Sequence, residues 1–298
     1  MRNQGLGVFV PLAVELCDLK RVRDATNPDS LATRLFRRGW GALLAGLPVA
    51  EIAMAITADA VAAARLGGID RIVLTACGLD KAEATLVLAR SFDEVAGPVD
   101  LRLAAALSTH LGTLTTAGAA PAFAEALIRQ PRAGATCPGK ARIVLEPPEN
   151  HGDHCLVVAV LATLLAPHYD ADPAVAFLSG MAHHLHNATL PDSGFAGEIL
   201  LGNHLAPILR RLFDQELATL PGPLSGMTRQ ALDGIADAET PAGRAFHAAD
   251  VIDRVLQMRH YDRVAAFTVD QALDDMDLVH AGPTQSFHYA VLAEAGLP

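Results

Sequence analysis

The stretch GMAHHLHNA, residues 180–188, decides how this chain is read. It closes an apolar run, PAVAFLSGMA, residues 173–182, that opens on the helix-start pair Asp172-Pro173. Two adjacent histidines in such a helix offer neutral imidazole nitrogens, which are common ligands for divalent transition metals. Upstream, DHCLVVA, residues 153–159, sets a lone His154 in the first turn of a second apolar helix. Downstream, AFHAADVIDR, residues 245–254, carries Asp250 and Asp253 on a third. Eleven of the twelve histidines lie beyond residue 150, with only His110 before it. Helices packed side by side bring such side chains to one point, as metal sites in bundle cores do.

The order His154, then His183-His184, then Asp250 resembles the HD superfamily, whose metal ligands run His…His-Asp…Asp along an all-α fold. The phrase MAHHLHNA is also similar to the family's LLHDLHEA. The resemblance covers residues 150–263 and implies an all-α, HD-domain-like helical bundle preceded by a mainly helical N-terminal region. It implies that His154, His183, His184 and Asp250 ligate a divalent transition metal, with Zn, Fe, Mn, Co and Ni all open. The chain departs from the family at His184, which stands where the family has Asp. A carboxylate bridges two metals, whereas a neutral imidazole ligates through one nitrogen, so one ion per chain is expected.

Other residues near this pattern are candidates of a second rank. His186 follows the doublet within one turn and reads as an extra ligand, an orienting neighbour or a helix C-cap. His204 and His247 are possible further ligands, while His151, His168, His260, His280 and His288 read as surface or structural residues. Family phosphohydrolases often have a carboxylate shortly after the doublet. The matching residue here is Asn187, a candidate substrate contact that cannot donate a titratable proton. Asp192 in LPDSG is the candidate acid or base, or else a turn-former after Pro191. Arg254 is the candidate phosphate-binding cation, with Arg142 and Arg210-Arg211 as further cations of interest.

Outward from this region, residues 131–152 are rich in Pro and Gly and read as a linker. The expected organisation is an N-terminal helical region over 1–130, that linker, and an HD-like metal-binding domain over 153–298. Helix signals recur before the linker: Ser30 reads as an N-cap, Pro48 opens a run that stops at Gly67-Gly68, and residues 81–95 and 121–130 have helical patterning. Residues 70–76 and the Ile143-Val144-Leu145 triplet leave strand open.

The chain of 298 residues is 51% hydrophobic but only 5% aromatic, so its core is built mainly from Ala, Leu and Val. A net charge of −10 without clustered Lys and Arg argues against nucleic acid as partner. Four scattered cysteines without a CxxC pair fit a reduced, cytoplasmic protein. The longest apolar run, residues 155–167, is too short to span a bilayer, and no membrane partner is expected. Homo-oligomerisation through the Ala- and Leu-rich N-terminal helices is a possible further association.

Three functions follow. The resemblance implies first a metal-dependent phosphohydrolase acting on a small phosphorylated substrate, a nucleotide or phosphate ester, through metal-activated water. The second is an HD-type non-haem iron oxygenase, for which the doublet lacks the bridging carboxylate. The third is a degenerate HD-fold module that binds a ligand without catalysis.

Overall fold

The computed structural model describes residues 5–25, 27–114, 118–262 and 268–298. Within them the protein is all-helical, as the sequence predicts, and β-pairing is limited to isolated bridges. The first half contains α1 (Val10–Asp18), α2 (Leu31–Leu44), α3 (Val49–Leu66), α4 (Arg71–Ala76), α5 (Lys81–Val95), α6 (Leu101–Ser108) and α7 (Ala122–Arg129). The second contains α8 (His151–Leu165), α9 (Pro173–Ala182), α10 (Gly194–Leu201), α11 (Leu205–Leu217), α12 (Gly222–Asp233), α13 (Pro241–Asp262) and α14 (Gln285–Ala295).

Local chemistry sets the helix starts. Ser30 Oγ accepts from Thr33 N at 2.9 Å, and Asn150 Oδ1 accepts from Asp153 N at 2.8 Å. Asp80 and Glu83 form a reciprocal capping box at the head of α5. The same device settles residues 70–76, left open as a strand by their β-branched content. Asp70 Oδ1 accepts from Val73 N at 3.0 Å, and that cap turns the segment into α4. Two long helical runs of the second half are interrupted. The run over residues 173–187 ends as α-helix at Ala182 and resumes as a 3-10 turn, Leu185–Ala188. The run over 197–215 breaks at Gly202, whose φ of +53° belongs to the left-handed region that glycine tolerates.

α8 is the axis of the molecule. All fifteen of its residues are buried, and it packs chiefly against α9, α13 and α2. By length and composition alone the helical run His151–Tyr169 would suffice to cross a membrane, but 83% of it is buried within the fold. Gly180 allows the closest of these contacts: a Cβ there would stand 2.4 Å from Ala159 Cα, so α9 lies directly on the α8 backbone.

Residues before 131 and after 152 share one hydrophobic cluster running from Leu6 to Leu297. Polar groups also tie the two parts together. Asp153 on α8 accepts hydrogen bonds from Ser30 Oγ and, at 2.8 Å, from Thr33 Oγ1 at the head of α2. Residues 131–149 form no helix. They fold across the α8 N-terminus, with Arg132 N donating to Glu149 O at 2.8 Å and Ala135 pairing with Ile143 in a single bridge. The Ile143-Val144-Leu145 triplet is therefore not a strand: Leu145 is buried and Val144 is 65% exposed.

Candidate metal centre

His154 projects from the first turn of α8, and His183 caps the C-terminus of α9. Because α9 stops there, His184 leaves the helical path at φ −106°, ψ 17°, and its ring turns toward the same point. The doublet is thus a helix terminus and not helix-internal, and that break lets two successive side chains face one site. Among the described residues, one ligand atom each from His154, His183 and His184 lies within 4.8 Å of the others.

The protons on these rings follow from their partners. His154 Nδ1 lies 2.7 Å from Asp253 Oδ2, and His183 Nδ1 lies 2.8 Å from the Gly180 carbonyl. His184 Nδ1 lies 2.7 Å from Asn187 Oδ1, an amide whose Nδ2 is committed to the Leu190 carbonyl at 3.0 Å. All three partners are acceptors, so each Nδ1 carries a proton. Burial, then the neighbouring His154, lowers the pKa of His183 well below the usual imidazole range. Burial, then His183 and His151, does the same for His184. Both rings are neutral at pH 7.

The inward-facing nitrogens and Asp250 converge. His154 Nε2 is 3.1 Å from His183 Nε2 and 3.3 Å from Asp250 Oδ1 on α13. Burial raises the Asp250 carboxyl, but His154 and Arg254 outweigh it and hold the group well below the usual carboxylate range. Acceptors so close repel unless a cation lies among them. Around an ion with bonds of about 2.0–2.1 Å, neighbouring ligand atoms stand about 2.9–3.4 Å apart from octahedral to tetrahedral geometry. Both distances fall in that interval, so His154, His183 and Asp250 could hold one divalent transition metal, while His184 Nε2 accepts a hydrogen bond from Arg132 Nη1 at 3.1 Å.

The centre opens into a cleft of about 440 Å³, within the ordinary size range for small-molecule sites. Arg132 enters from the 131–149 segment, its Nη1 at 3.1 Å from His184 Nε2 and its Nε at 3.8 Å from Glu149 Oε2. Arg254 also lines the cleft, one turn after Asp250 on α13. Its Nη1 is 3.7 Å from Asp250 Oδ2, and its Nη2 donates to the Leu278 carbonyl. Phe195, Phe246, Met258 and Met276 supply apolar surface.

The second-rank candidates are placed as follows. His186 sits in the 3-10 turn against Phe213, ring centres 5.0 Å apart, and does not line the cleft. His204 is exposed at the end of a separate 3-10 turn, outside the cleft. His247 lines the cleft, but its Nε2 is taken by the Ile235 carbonyl at 2.9 Å. Asn187 is buried and spends both amide atoms orienting His184, which leaves it nothing for a substrate. Asp192 lines the cleft, where its oxygens accept from Ala133 N and Gly194 N, each at 2.9 Å, and face His151 Nε2 at 3.5 Å. Burial opposes ionisation of Asp192, but His151 and Arg132 hold its carboxyl far below the usual range, so it anchors a loop and is a poor proton donor. Arg142 is tied to the Ala133 and Ser193 carbonyls, and Arg210 and Arg211 are exposed.

Sequence reasoning missed several residues. Arg132 and Glu149 lay in the supposed linker. His280 and His288 line the cleft, His280 stacked on Phe195 at 4.2 Å and His288 buried with no partner for its Nε2. Glu198, exposed at the cleft, has no side-chain hydrogen-bond or ion-pair partner among the described residues, and partial desolvation raises its carboxyl. Only the concentration of histidines beyond residue 150 pointed toward His280 and His288. Comparison with family models, with curated proteins and with solved structures found no match.

Proposed function

We propose that this protein is a mononuclear metal-dependent phosphohydrolase of HD type, acting on a small phosphorylated substrate. The observation that supports this reading is the convergence of His154 Nε2, His183 Nε2 and the Asp250 carboxylate, with His184 beside them, next to a cleft. His154, His183, His184 and Asp250 would hold the ion, which supplies Lewis acidity to acidify water and polarise a phosphoryl group.

The chain's own residues complete the chemistry. Asp253, the Gly180 carbonyl and Asn187 fix the three ring tautomers so that every Nε2 faces inward. Arg132 presents its guanidinium beside His184, where it would receive the non-bridging oxygens of a phosphate. Arg254 balances the second Asp250 oxygen from one turn along the same helix. Glu198, an exposed side chain lining the cleft whose carboxyl is raised, is the candidate proton donor to a leaving oxygen.

The test is a screen of nucleotides and phosphate esters with the protein loaded with each of Zn, Mn, Fe, Co and Ni. Phosphate release that a chelator abolishes and Arg132→Ala weakens is the expected result. Oxygen consumption with iron, without phosphate release from any substrate, would overturn the hydrolase reading.

A further inference from the structure

The three imidazoles rest on a buried ionic ring whose centre comes from the other end of the chain. Lys20 lies just after α1 and is only 4% exposed. Its ammonium is 2.6 Å from Asp253 Oδ1, 2.8 Å from Asp253 Oδ2, and also bonded to Glu149. Both carboxylates are buried, with side chains 0% and 5% exposed. Each of them then faces one pole of the metal centre. Asp253 accepts the proton of His154 Nδ1 at 2.7 Å, while Glu149 stands 3.8 Å from Arg132 Nε. Arg132 in turn reaches His184 Nε2 at 3.1 Å. The charges alternate along His154, Asp253, Lys20, Glu149, Arg132 and His184, two cations against two anions, so the ring balances itself.

We propose that Lys20 is the positioning residue that sets both poles of this site. Through Asp253 it fixes the His154 tautomer toward the metal, and through Glu149 it aims the Arg132 guanidinium at the substrate anion. The contribution of the N-terminal region to the site is then this one buried ammonium, delivered by the turn that follows α1. Without it, Glu149, His154 and Asp253 have ligand atoms within 4.8 Å of one another, a set that would itself attract a stray cation. Lys20 fills that position covalently, so the pocket behind His154 holds a fixed charge while the front stays free for a metal. Cys17, one turn earlier, adds a thiol contact to Asp253 Oδ1 at 3.3 Å, which leaves Asp253 little freedom to rotate.

This inference rests on the metal-centre reading for its chemistry, but its test separates the two. Full-length protein with ¹⁵N-labelled histidine is compared with Lys20→Met, Glu149→Gln and Asp253→Asn. Three quantities are read: the His154 tautomer by NMR without metal, the affinity for cobalt(II), and the affinity for inorganic phosphate. Lys20→Met should mix the His154 tautomers and weaken both cobalt and phosphate by at least about tenfold. Asp253→Asn should change the tautomer and cobalt affinity, whereas Glu149→Gln should weaken phosphate alone. Removing Lys20 leaves two buried carboxylates uncompensated, so if that variant does not fold, the two single-arm variants decide. A folded Lys20→Met protein with unchanged tautomer and phosphate affinity would overturn the proposal, as would single-arm variants that leave their own readouts unmoved. If the unmutated protein binds no cobalt, the metal reading falls, and the tautomer and phosphate readouts still decide the role of Lys20.

Discussion

At the scale of single residues, the centre depends on partners that never touch a ligand. Asn187 holds the His184 ring by its Nδ1 proton and is itself fixed by the Leu190 carbonyl. Asn187→Ala should therefore lower metal affinity roughly tenfold while helix content, read by circular dichroism, stays unchanged. Glu198 makes a different prediction. If it delivers the proton, Glu198→Gln should lower kcat by about 10²–10⁴-fold, remove one limb of the pH–rate profile and leave metal content intact. The candidate ligand residues were legible in the sequence because His and Asp recurred on apolar helices, a placement that packing alone does not favour. Lys20, Glu149 and Arg132 were not legible. Each is a charged residue in a polar stretch, and the contacts joining them to each other and to the ligands cross 129, 233 and 52 positions of chain.

At the scale of elements, the contact between α8 and α9 sets the distance between His154 and His183. That contact has backbone against backbone at Gly180 and Ala159, with no room for a side chain. Gly180→Ala should force the helices apart, at a cost of about 1–3 kcal/mol, and weaken metal binding beyond what the stability loss explains. Urea denaturation and a metal titration on the same preparation check both parts. The helices themselves were readable from caps and apolar runs, since Ser30, Asp80, Asn150 and Asp172 each bond to the backbone of the turn they start. Their interruptions were harder to read. The end of α9 at Ala182 depends on His184 and Asn187 bonding to each other across the break, a tertiary choice that helical periodicity does not report. Residues 131–149 looked like a linker by their prolines and glycines, yet the same absence of helix lets Arg132 and Glu149 reach over the α8 N-terminus.

At the scale of the whole molecule, one core unites the two halves and keeps many histidines buried and uncharged. Burial lowers the pKa of His151, His183 and His184, and takes His186 and His288 to about 4. Such groups bind protons first in the unfolded chain, where imidazole titrates near about 6.5. Their contribution to stability is complete above that pH and is lost as pH falls toward 4. Asp59 and Asp153, which burial pushes up to about 6, act in the opposite sense, because the folded state takes up their protons first. With His247 and His280 seven imidazoles are lowered, against four raised carboxyls once Glu198 and Glu216 are counted, so the metal-free protein should unfold at lower urea concentration at pH 5.5 than at pH 7.5; an equal or higher midpoint would count against neutral buried rings. The central claim is that three imidazoles and Asp250 hold one divalent metal, and elemental analysis of protein purified without added metal tests it most directly. About one equivalent of a transition metal per chain, lost in both His154→Ala and His183→Ala, is the predicted result. No stoichiometric metal in the unmutated protein, or metal retained in both variants, would contradict it.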